Sequence, residues 1–338
     1  MDDEWRRDRQ SNDMMSANKF EVRVLDKNEF NLWDHLAAVS PQGTIFHNSE
    51  YLQIVADASS SRLRLYGCFS NDDLVGGCSL LVKGRGRHFS RASSTGPLTP
   101  YGGFLLPSHD DMNVRRSFSI QDDIINALCD QIEEDRYSSV TVTNSPDLLD
   151  IRSCLWRGWK GHVAYTYYID LEGNFDEKFS RSVRKRVRRA KGAGQYIERL
   201  NDATIHHDLI TQVFNRQNLS APVGRKFFTT MLELFERNEC GGMWVARDKS
   251  DNVLASHIRI WDDKRAYAWS AASNQEFRDS GANQFLFVGV LEEMQKKGLN
   301  QFNMMHGNTK RLSDYAEGYN PTLVPYYSVN KIIKYLIF

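Results

Sequence analysis

The chain has 338 residues, 41% of them hydrophobic and 25% charged, and its 43 basic residues balance its 43 acidic ones. That length suits two domains of about 150 residues each, and a net charge of zero argues against binding of a polyanion over the whole surface. Five scattered cysteines without a CxxC pair and histidines without HExxH spacing argue against a disulfide framework and a zinc site. We therefore expect no metal and a reducing compartment, the cytoplasm.

The predicted elements begin after a charged N-terminal segment. Residues 1–18 lack the apolar stretch of a signal peptide and are predicted to form a mobile tail, and no run approaches the roughly 18 apolar residues of a membrane span. From residue 20 onward, strand-like and helix-like segments alternate, which indicates an α/β or α+β fold. The first half is predicted to contain a strand at 20–25, a helix at 28–38, a strand pair within 63–83, a helix at 120–136 and a strand at 139–143.

The second half repeats this order. Residues 66–82 read YGCFSNDDLVGGCSLLV and residues 244–260 read WVARDKSDNVLASHIRI, and each is an apolar strand, a polar turn and a second apolar strand. A repeat of this kind predicts two copies of one fold, which we expect to dock face to face. We place the boundary near Asn174, with an N-terminal domain at 19–173 and a C-terminal domain at 174–338.

A candidate cofactor loop, ASNQEFRDSGANQF at 272–285, follows a predicted strand at 266–271 and opens a helix at 284–297. Backbone N–H groups and the helix dipole at such an N-terminus attract anions. The loop resembles the coenzyme A loop of the GNAT superfamily, (Arg or Gln)-x-x-Gly-x-(Gly or Ala), although Asp279 adds an unfavourable charge. The alternative is an ordinary N-capped helix. The candidate contacts are Arg278, Ser280, Gly281, Ala282 and Asn283, the last of which replaces the final small residue.

A second motif follows the next predicted strand, at 300–305. Asn308, Tyr315, Gly318 and Tyr319 have a spacing similar to the end of the GNAT core. That resemblance implies that Asn308 lies on the cofactor side and that Tyr315, on a short helix, protonates the leaving thiolate as a general acid. The alternative makes Tyr315 a core aromatic residue.

The chain resembles one branch of this superfamily, the Fem-type acyltransferases, over most of residues 33–329. The matching strings are FNMMHGN and LSDYAEGYNPTLVPYY within 302–327, GTIFHNSEYL at 43–52 and GPLTPYGGFLL at 96–106. The resemblance implies two tandem GNAT-like domains, each with a central mixed sheet flanked by helices. Two departures, Ala316 in place of the usual lysine and the lack of an inserted coiled-coil arm, mean that the substrate need not be a cell-wall precursor.

The segment RSVRKRVRRAK at 181–191 carries seven positive charges in eleven residues and a buried stripe of Val183, Val187 and Ala190. Solvated charge is one explanation, but the run has no acidic partners to offset its self-repulsion, which favours an anionic ligand. Arginine suits bidentate phosphate contacts, and the Fem resemblance implies a substrate diphosphate here. The candidate substrate-binding residues are Arg181, Arg184, Lys185 and Arg188.

The remaining assignments concern the acceptor side and the general base. The first half has no counterpart of the cofactor loop, so we expect it to serve the acceptor, with Tyr101 and Gly102 as candidate contacts. The backbone near Ser270 is the candidate oxyanion site, by resemblance to the strands that separate in GNAT proteins. His306, at a strand end, is the better candidate base, whereas His257, in mid-strand, is more typical of a core residue.

Together these patterns predict transfer of an acyl or aminoacyl group to an amine or hydroxyl of a cell-envelope or glycan-type acceptor, which can be phosphorylated. Zero net charge and the missing arm favour acyl-CoA as donor, whereas the imperfect loop and the arginine-rich helix favour aminoacyl-tRNA. The alternative is a non-catalytic module that binds a phosphorylated glycan or lipid precursor. The sequence leaves the oligomeric state open.

Overall fold

A computed structural model describes residues 20–86, 89–108, 113–216, 218–305 and 307–332. The predicted N-terminal tail and the candidate base His306 lie outside these residues. None of the helices in these ranges has the length and apolar character needed to cross a membrane.

The first half follows the predicted order of elements. Helix α3 begins six residues before its predicted start because Asn113 caps it, accepting a hydrogen bond from the Arg116 amide. The elements are β1 Glu21–Val24, α1 Phe30–Val39, α2 Ser49–Ala58, β2 Arg62–Ser70, β3 Asp73–Lys83, β4 Arg91–Ser93, β5 Gly103–Leu105, α3 Val114–Glu134, β6 Ser139–Thr143, α4 Arg152–Trp156 and β7 Lys160–Asp170.

The second half opens with a short 3₁₀ turn, Phe175–Lys178. The basic helix comes next and is capped by Ser180, whose hydroxyl accepts from the Val183 amide. The elements are α5 Arg181–Gly192, β8 Tyr196–Arg199, α6 Ala203–Asn215, α7 Arg225–Arg237, β9 Gly241–Arg247, β10 Val253–Trp261, β11 Ala266–Ser273, α8 Ala282–Lys296, β12 Gln301–Asn303, α9 Lys310–Glu317 and β13 Thr322–Ile332.

The described strands form one sheet in the order β1-β2-β3-β4-β6-β13-β7-β12-β11-β10-β9-β8, with β5 beside β3. Each half contributes five strands in the same order, counted from its outer edge of the sheet inward. In the first half they are β1, β2, β3, β4 and β6, and in the second half β8, β9, β10, β11 and β12. Matching neighbours run in the same relative direction, antiparallel except for the parallel pairs β4–β6 and β11–β12. Both halves therefore have one topology, and the predicted tandem fold is confirmed.

The halves join edge to edge through an exchange of their last strands. Strand β7, from the first half, pairs with β12, and β13, from the second half, pairs with β6. The two exchanged strands also pair with each other from Thr322↔Tyr168 to Asn330↔Lys160. The predicted face-to-face docking is wrong, because each half completes the other's sheet and leaves no open edge between them.

Helices cover both faces of this sheet, and one apolar cluster belongs to both halves. Tyr51 and Tyr101 of the first half pack there with Phe228 and Trp269 of the second. Polar contacts add to this joint, since the Lys264 ammonium donates to the carbonyls of Ser40, Pro41 and Gly43, each at 2.9 Å. The halves are thus tied to each other on the face that carries α6 and α7.

Candidate active site

The centre of the second half contains a wedge between two parallel strands. Strands β11 and β12 pair only at Ala266↔Phe302 and Tyr267↔Asn303, whereas β11 continues to Ser273. A β-bulge between β10 and β11 lies at the same level. From residue 268 onward, the edge of β11 that faces β12 has no strand partner among the described residues. The Ser270 carbonyl in this stretch accepts a hydrogen bond from Arg259 Nη1 at 2.8 Å, and we expect the backbone N–H groups of the edge to be the ones that meet a ligand.

Helix α8 begins beside this wedge, and its first turn is built on a glycine. Gly281 is the N-cap residue and has a left-handed backbone with φ of 84°. A Cβ atom there would lie 2.5 Å from the Arg186 carbonyl oxygen of α5. The glycine is therefore required both by its φ angle and by the close approach of the basic helix. Gly281 is a predicted cofactor contact, and in the structure α5 is the element that approaches it closely.

The phenol of Tyr315, on α9, meets this first turn. Its oxygen accepts a hydrogen bond from Asn283 Nδ2 at 3.1 Å and another from the Tyr319 hydroxyl at 2.9 Å. Among the described residues, no acceptor takes the proton of Tyr315 itself. Burial raises the pKa of Tyr315, while the Tyr319 hydrogen bond, Arg259, Asn283 and Arg186 lower it. The phenol is thus protonated, and its two donors would stabilise the phenolate that forms when the proton leaves.

His257, on β10, continues this chain of hydrogen bonds. Its Nε2 lies 2.8 Å from Asn283 Oδ1, so with Asn283 Nδ2 directed at the phenol, Nε2 carries the proton. Burial, with Arg259 next to it, lowers the pKa of His257 well below its usual range. His257 is therefore neutral and orients the Asn283 side chain. This role of His257 was not predicted from the sequence.

Ser270 lies on the wedge strand, but its side chain is already engaged. Its hydroxyl is 2.7 Å from Nε2 of His206, whose Nδ1 is 2.9 Å from the Ser256 hydroxyl. Burial lowers the pKa of His206 to about 3, so the imidazole is neutral. Only the Ser270 backbone faces the site. The role of His206 could not be predicted from the sequence, because a lone histidine on an amphipathic helix carries no signal of its two serine partners.

The other predicted cofactor contacts divide into two groups. Arg278 is exposed, with its Nε 3.5 Å from Asp279, and Ser280 binds the Ala282 amide through its hydroxyl, at 3.2 Å. Asn308 lies elsewhere: its Oδ1 accepts from the Tyr165 amide of β7 at 2.8 Å. The structure brings Tyr315 and Asn283 together and leaves Asn308 at the joint between the halves.

The two candidate acceptor contacts of the first half are buried. The Tyr101 hydroxyl accepts from Asn303 Nδ2 at 3.2 Å, and burial raises the pKa of Tyr101 to about 12. A Cβ atom on Gly102 would lie 2.3 Å from the Ser94 carbonyl oxygen. Tyr101 thus holds the first half against the end of β12, whereas Gly102 packs within the first half.

The basic helix α5 borders a hollow of about 250 Å³. Arg184, Arg188 and Lys191 follow one another at helical spacing along one flank of α5, whereas Arg181 and Lys185 are exposed outside the hollow. Of the four predicted substrate-binding residues, the structure therefore groups two. The complete lining is Asp176, Phe179, Val183, Arg184, Val187, Arg188, Lys191 and Val288.

In the described ranges, no cluster of three or more histidine, cysteine, aspartate or glutamate side chains has an arrangement that could hold a metal ion.

A wedge between parallel strands, a helix N-terminus beside it and a phenol on the next helix define an acetyltransferase-type domain. Residues 177–332 match the acetyltransferase (GNAT) domain family. FemX has a similar fold, with a TM-score of 0.70, 12% identity and coverage of 93% of this chain and 97% of that chain. A tandem GNAT protein from the clavulanic acid biosynthesis pathway has a TM-score of 0.54 and 12% identity, over 92% of this chain and 98% of that chain.

L-PGS from Bacillus licheniformis also has a similar fold, with a TM-score of 0.52 and 11% identity over 85% of this chain and 93% of that chain. No curated protein sequence matches the chain. The second half of the chain therefore matches a GNAT domain, and the whole chain has a fold similar to those of FemX and the tandem GNAT protein.

Proposed function

We propose that the protein transfers an acyl group from acyl-CoA to an amine or hydroxyl of a cell-envelope or glycan-type acceptor, with Tyr315 as general acid. The observation that carries this proposal is the arrangement at Tyr315. Its oxygen accepts hydrogen bonds from Asn283 and Tyr319, so its own proton is free to be donated into the wedge. The Fem-type resemblance supports the acceptor class, and we place the reaction in the cytoplasm, where such donors are made.

The reaction follows from these positions. The thioester carbonyl rests on backbone N–H groups of β11 near Ser270, which stabilise the oxyanion of the tetrahedral intermediate. The acceptor nitrogen bonds to the acyl carbon, the carbon–sulfur bond breaks, and the sulfur takes the proton of Tyr315. The proton released by the acceptor returns through water to the phenolate, so the enzyme ends as it began.

The proposed binding site for the donor's phosphates is the region where α5 crosses the start of α8. The amides of Asn283 and Gln284 are first-turn donors without a partner among the described residues, and such donors bind phosphate. The Arg186 carbonyl of α5 is in contact with Gly281, and Arg184 and Arg188 line the hollow together with Val288 of α8, so α5 brings its cations to the N-terminal half of α8. We therefore assign Arg184 and Arg188 to the donor's phosphates, whereas the sequence predicted phosphate binding there without specifying which phosphate.

A second donor class, an aminoacyl ester of tRNA, is favoured by one observation. The α5 backbone occupies the space at Gly281 through which a pyrophosphate would approach the loop closely. A donor held mainly by the cations of α5 would need no such approach. The same general acid would then protonate a ribose oxygen instead of a thiolate.

Donor binding and turnover test the proposal together. We expect wild-type protein to bind CoA and to release free thiol from acetyl-CoA when an amino-sugar acceptor is present. Tyr315→Phe should keep the dissociation constant for CoA and lower turnover by about 10²–10⁴-fold. Tyr165→Phe, at an exposed tyrosine whose hydroxyl is outside this network, is the matched control. Binding of aminoacyl-tRNA without binding of CoA would replace acyl-CoA by the ester donor.

A further inference from the structure

A buried arginine lies beside the proposed general acid. Arg259, on β10 at the bulge opposite β11, is only 2% exposed. Its Nη1 donates to the carbonyls of Ser270 at 2.8 Å and Ile258 at 3.1 Å, and its Nε is buried without a hydrogen-bond partner. Its guanidinium carbon is 5.5 Å from the centroid of the Phe287 ring. The guanidinium therefore lies in the wedge, above the strand that is proposed to hold the thioester.

This cation has no carboxylate partner among the described residues. The other buried arginine of the site region, Arg265, forms an ion pair with Asp147 at 2.9 Å. Burial lowers the pKa of Arg259 to about 10, and the groups that oppose this effect are the phenols of Tyr315 and Tyr319. An unpaired buried charge costs several kcal/mol, and an apolar side chain of similar volume would avoid that cost. Packing alone does not account for an arginine here.

The groups around Tyr315 determine what a negative charge on its oxygen would meet. The Phe287 ring, against which Arg259 packs, is 6.4 Å from the Tyr315 ring between centroids. Besides Arg259, the titratable and charged groups at the phenol are Tyr319, Arg186 from α5 and the neutral His257. None of them is an anion. Negative charge that develops on the Tyr315 oxygen would therefore meet only positive charge and hydrogen-bond donors.

We propose that Arg259 is a positioning residue whose fixed positive charge stabilises the phenolate that Tyr315 becomes during transfer. This inference rests on the proposed role of Tyr315 as general acid. As the carbon–sulfur bond breaks, the sulfur takes the Tyr315 proton and the phenol oxygen keeps the electron pair. Arg259 is already in place and desolvated, so the charge is stabilised without reorganisation of water. Its hydrogen bond to the Ser270 carbonyl holds the guanidinium next to the oxyanion site as well.

The test titrates the phenol in the free protein. A fluorinated tyrosine at position 315, which is more acidic than tyrosine, is followed by ¹⁹F NMR in wild type, Arg259→Met and Arg259→Lys. We expect Arg259→Met to raise the pKa of that phenol by about one unit or more and Arg259→Lys to retain most of the wild-type value. With natural tyrosine, Arg259→Met should lower kcat about tenfold for each such unit and leave KM unchanged. Arg259→Gln serves the same purpose if the methionine variant does not fold.

The control is Arg265→Met, which removes the arginine paired with Asp147. It should leave the phenol titration unchanged and lower the melting temperature, because it strands a carboxylate, whereas Arg259→Met should not lower it. An unmoved titration in Arg259→Met overturns the inference. A raised phenol pKa with unchanged kcat in Arg259→Met also overturns the inference. The rate of Tyr315→Phe then shows whether the Arg259 inference fails alone or together with the general-acid role of Tyr315. If Tyr315→Phe is slow, only the Arg259 inference fails, and if it is fast, the general acid fails as well.

Discussion

The contact between α5 and α8 can be tested by adding one methyl group at Gly281. In Gly281→Ala, the left-handed backbone costs about 1–2 kcal/mol, because an L-residue at φ of 84° brings its Cβ against its own backbone. The new Cβ would also lie 2.5 Å from the Arg186 carbonyl oxygen, a backbone atom that moves only if α5 moves. Overpacking of this kind costs about 1–3 kcal/mol. The expected loss in free energy of unfolding is therefore about 2–5 kcal/mol.

Gly298, just beyond the other end of α8, provides the matched control. Its φ is 86°, and a Cβ atom there would meet nothing within 4 Å. Gly298→Ala should therefore lose only the backbone part, about 1–2 kcal/mol. The measurement is urea-induced unfolding of both variants and wild type, together with CoA affinity, which should fall only in Gly281→Ala. Equal losses of stability in the two variants would refute the claim that α5 presses on this turn.

Two further predictions concern the basic helix and the buried imidazole. Arg184→Ala/Arg188→Ala should weaken CoA binding and reduce its dependence on salt concentration, as seen by calorimetry at several ionic strengths, whereas Arg181→Ala/Lys185→Ala should do so much less. Equal losses of CoA affinity in the two double variants would contradict the assignment of Arg184 and Arg188 to the donor's phosphates. Because burial lowers the pKa of His206 to about 3, its contribution to stability is present above pH 6.5 and is lost as the pH falls. Wild type should lose about 1 kcal/mol more than His206→Gln between pH 6.5 and 5.5 in urea unfolding, and parallel curves would contradict this.

The sequence predicted what depends on local pattern. The repeated strand–turn–strand segments became β2–β3 and β9–β10, and the spacing around Tyr315 placed it on a short helix next to the α8 turn. These features follow from periodicity and from residue types close together in the chain. The tandem topology followed because each half carries the same pattern.

Pairings between distant segments could not be predicted in this way. The exchange of β7 and β13 depends on which strand edge each one meets, and alternating residues look the same in either sheet. In the sequence, Arg259 is a polar residue within a predicted strand. No nearby residue indicates that it is buried beside Tyr315. Asn308 has the expected spacing, yet it binds the backbone of β7, a strand of the other half.

The dependence of the rate on the leaving group tests the central claim most directly. An alkyl thioester, like that of CoA, expels a basic thiolate that needs a proton, whereas an aryl thioester expels a thiolate stable without one. Steady-state kcat should be measured for wild type and Tyr315→Phe with both donors and one amine acceptor. We predict a loss of about 10²–10⁴-fold for Tyr315→Phe with the alkyl donor and near wild-type turnover with the aryl donor. An equal loss with both donors would contradict protonation of the leaving group by Tyr315.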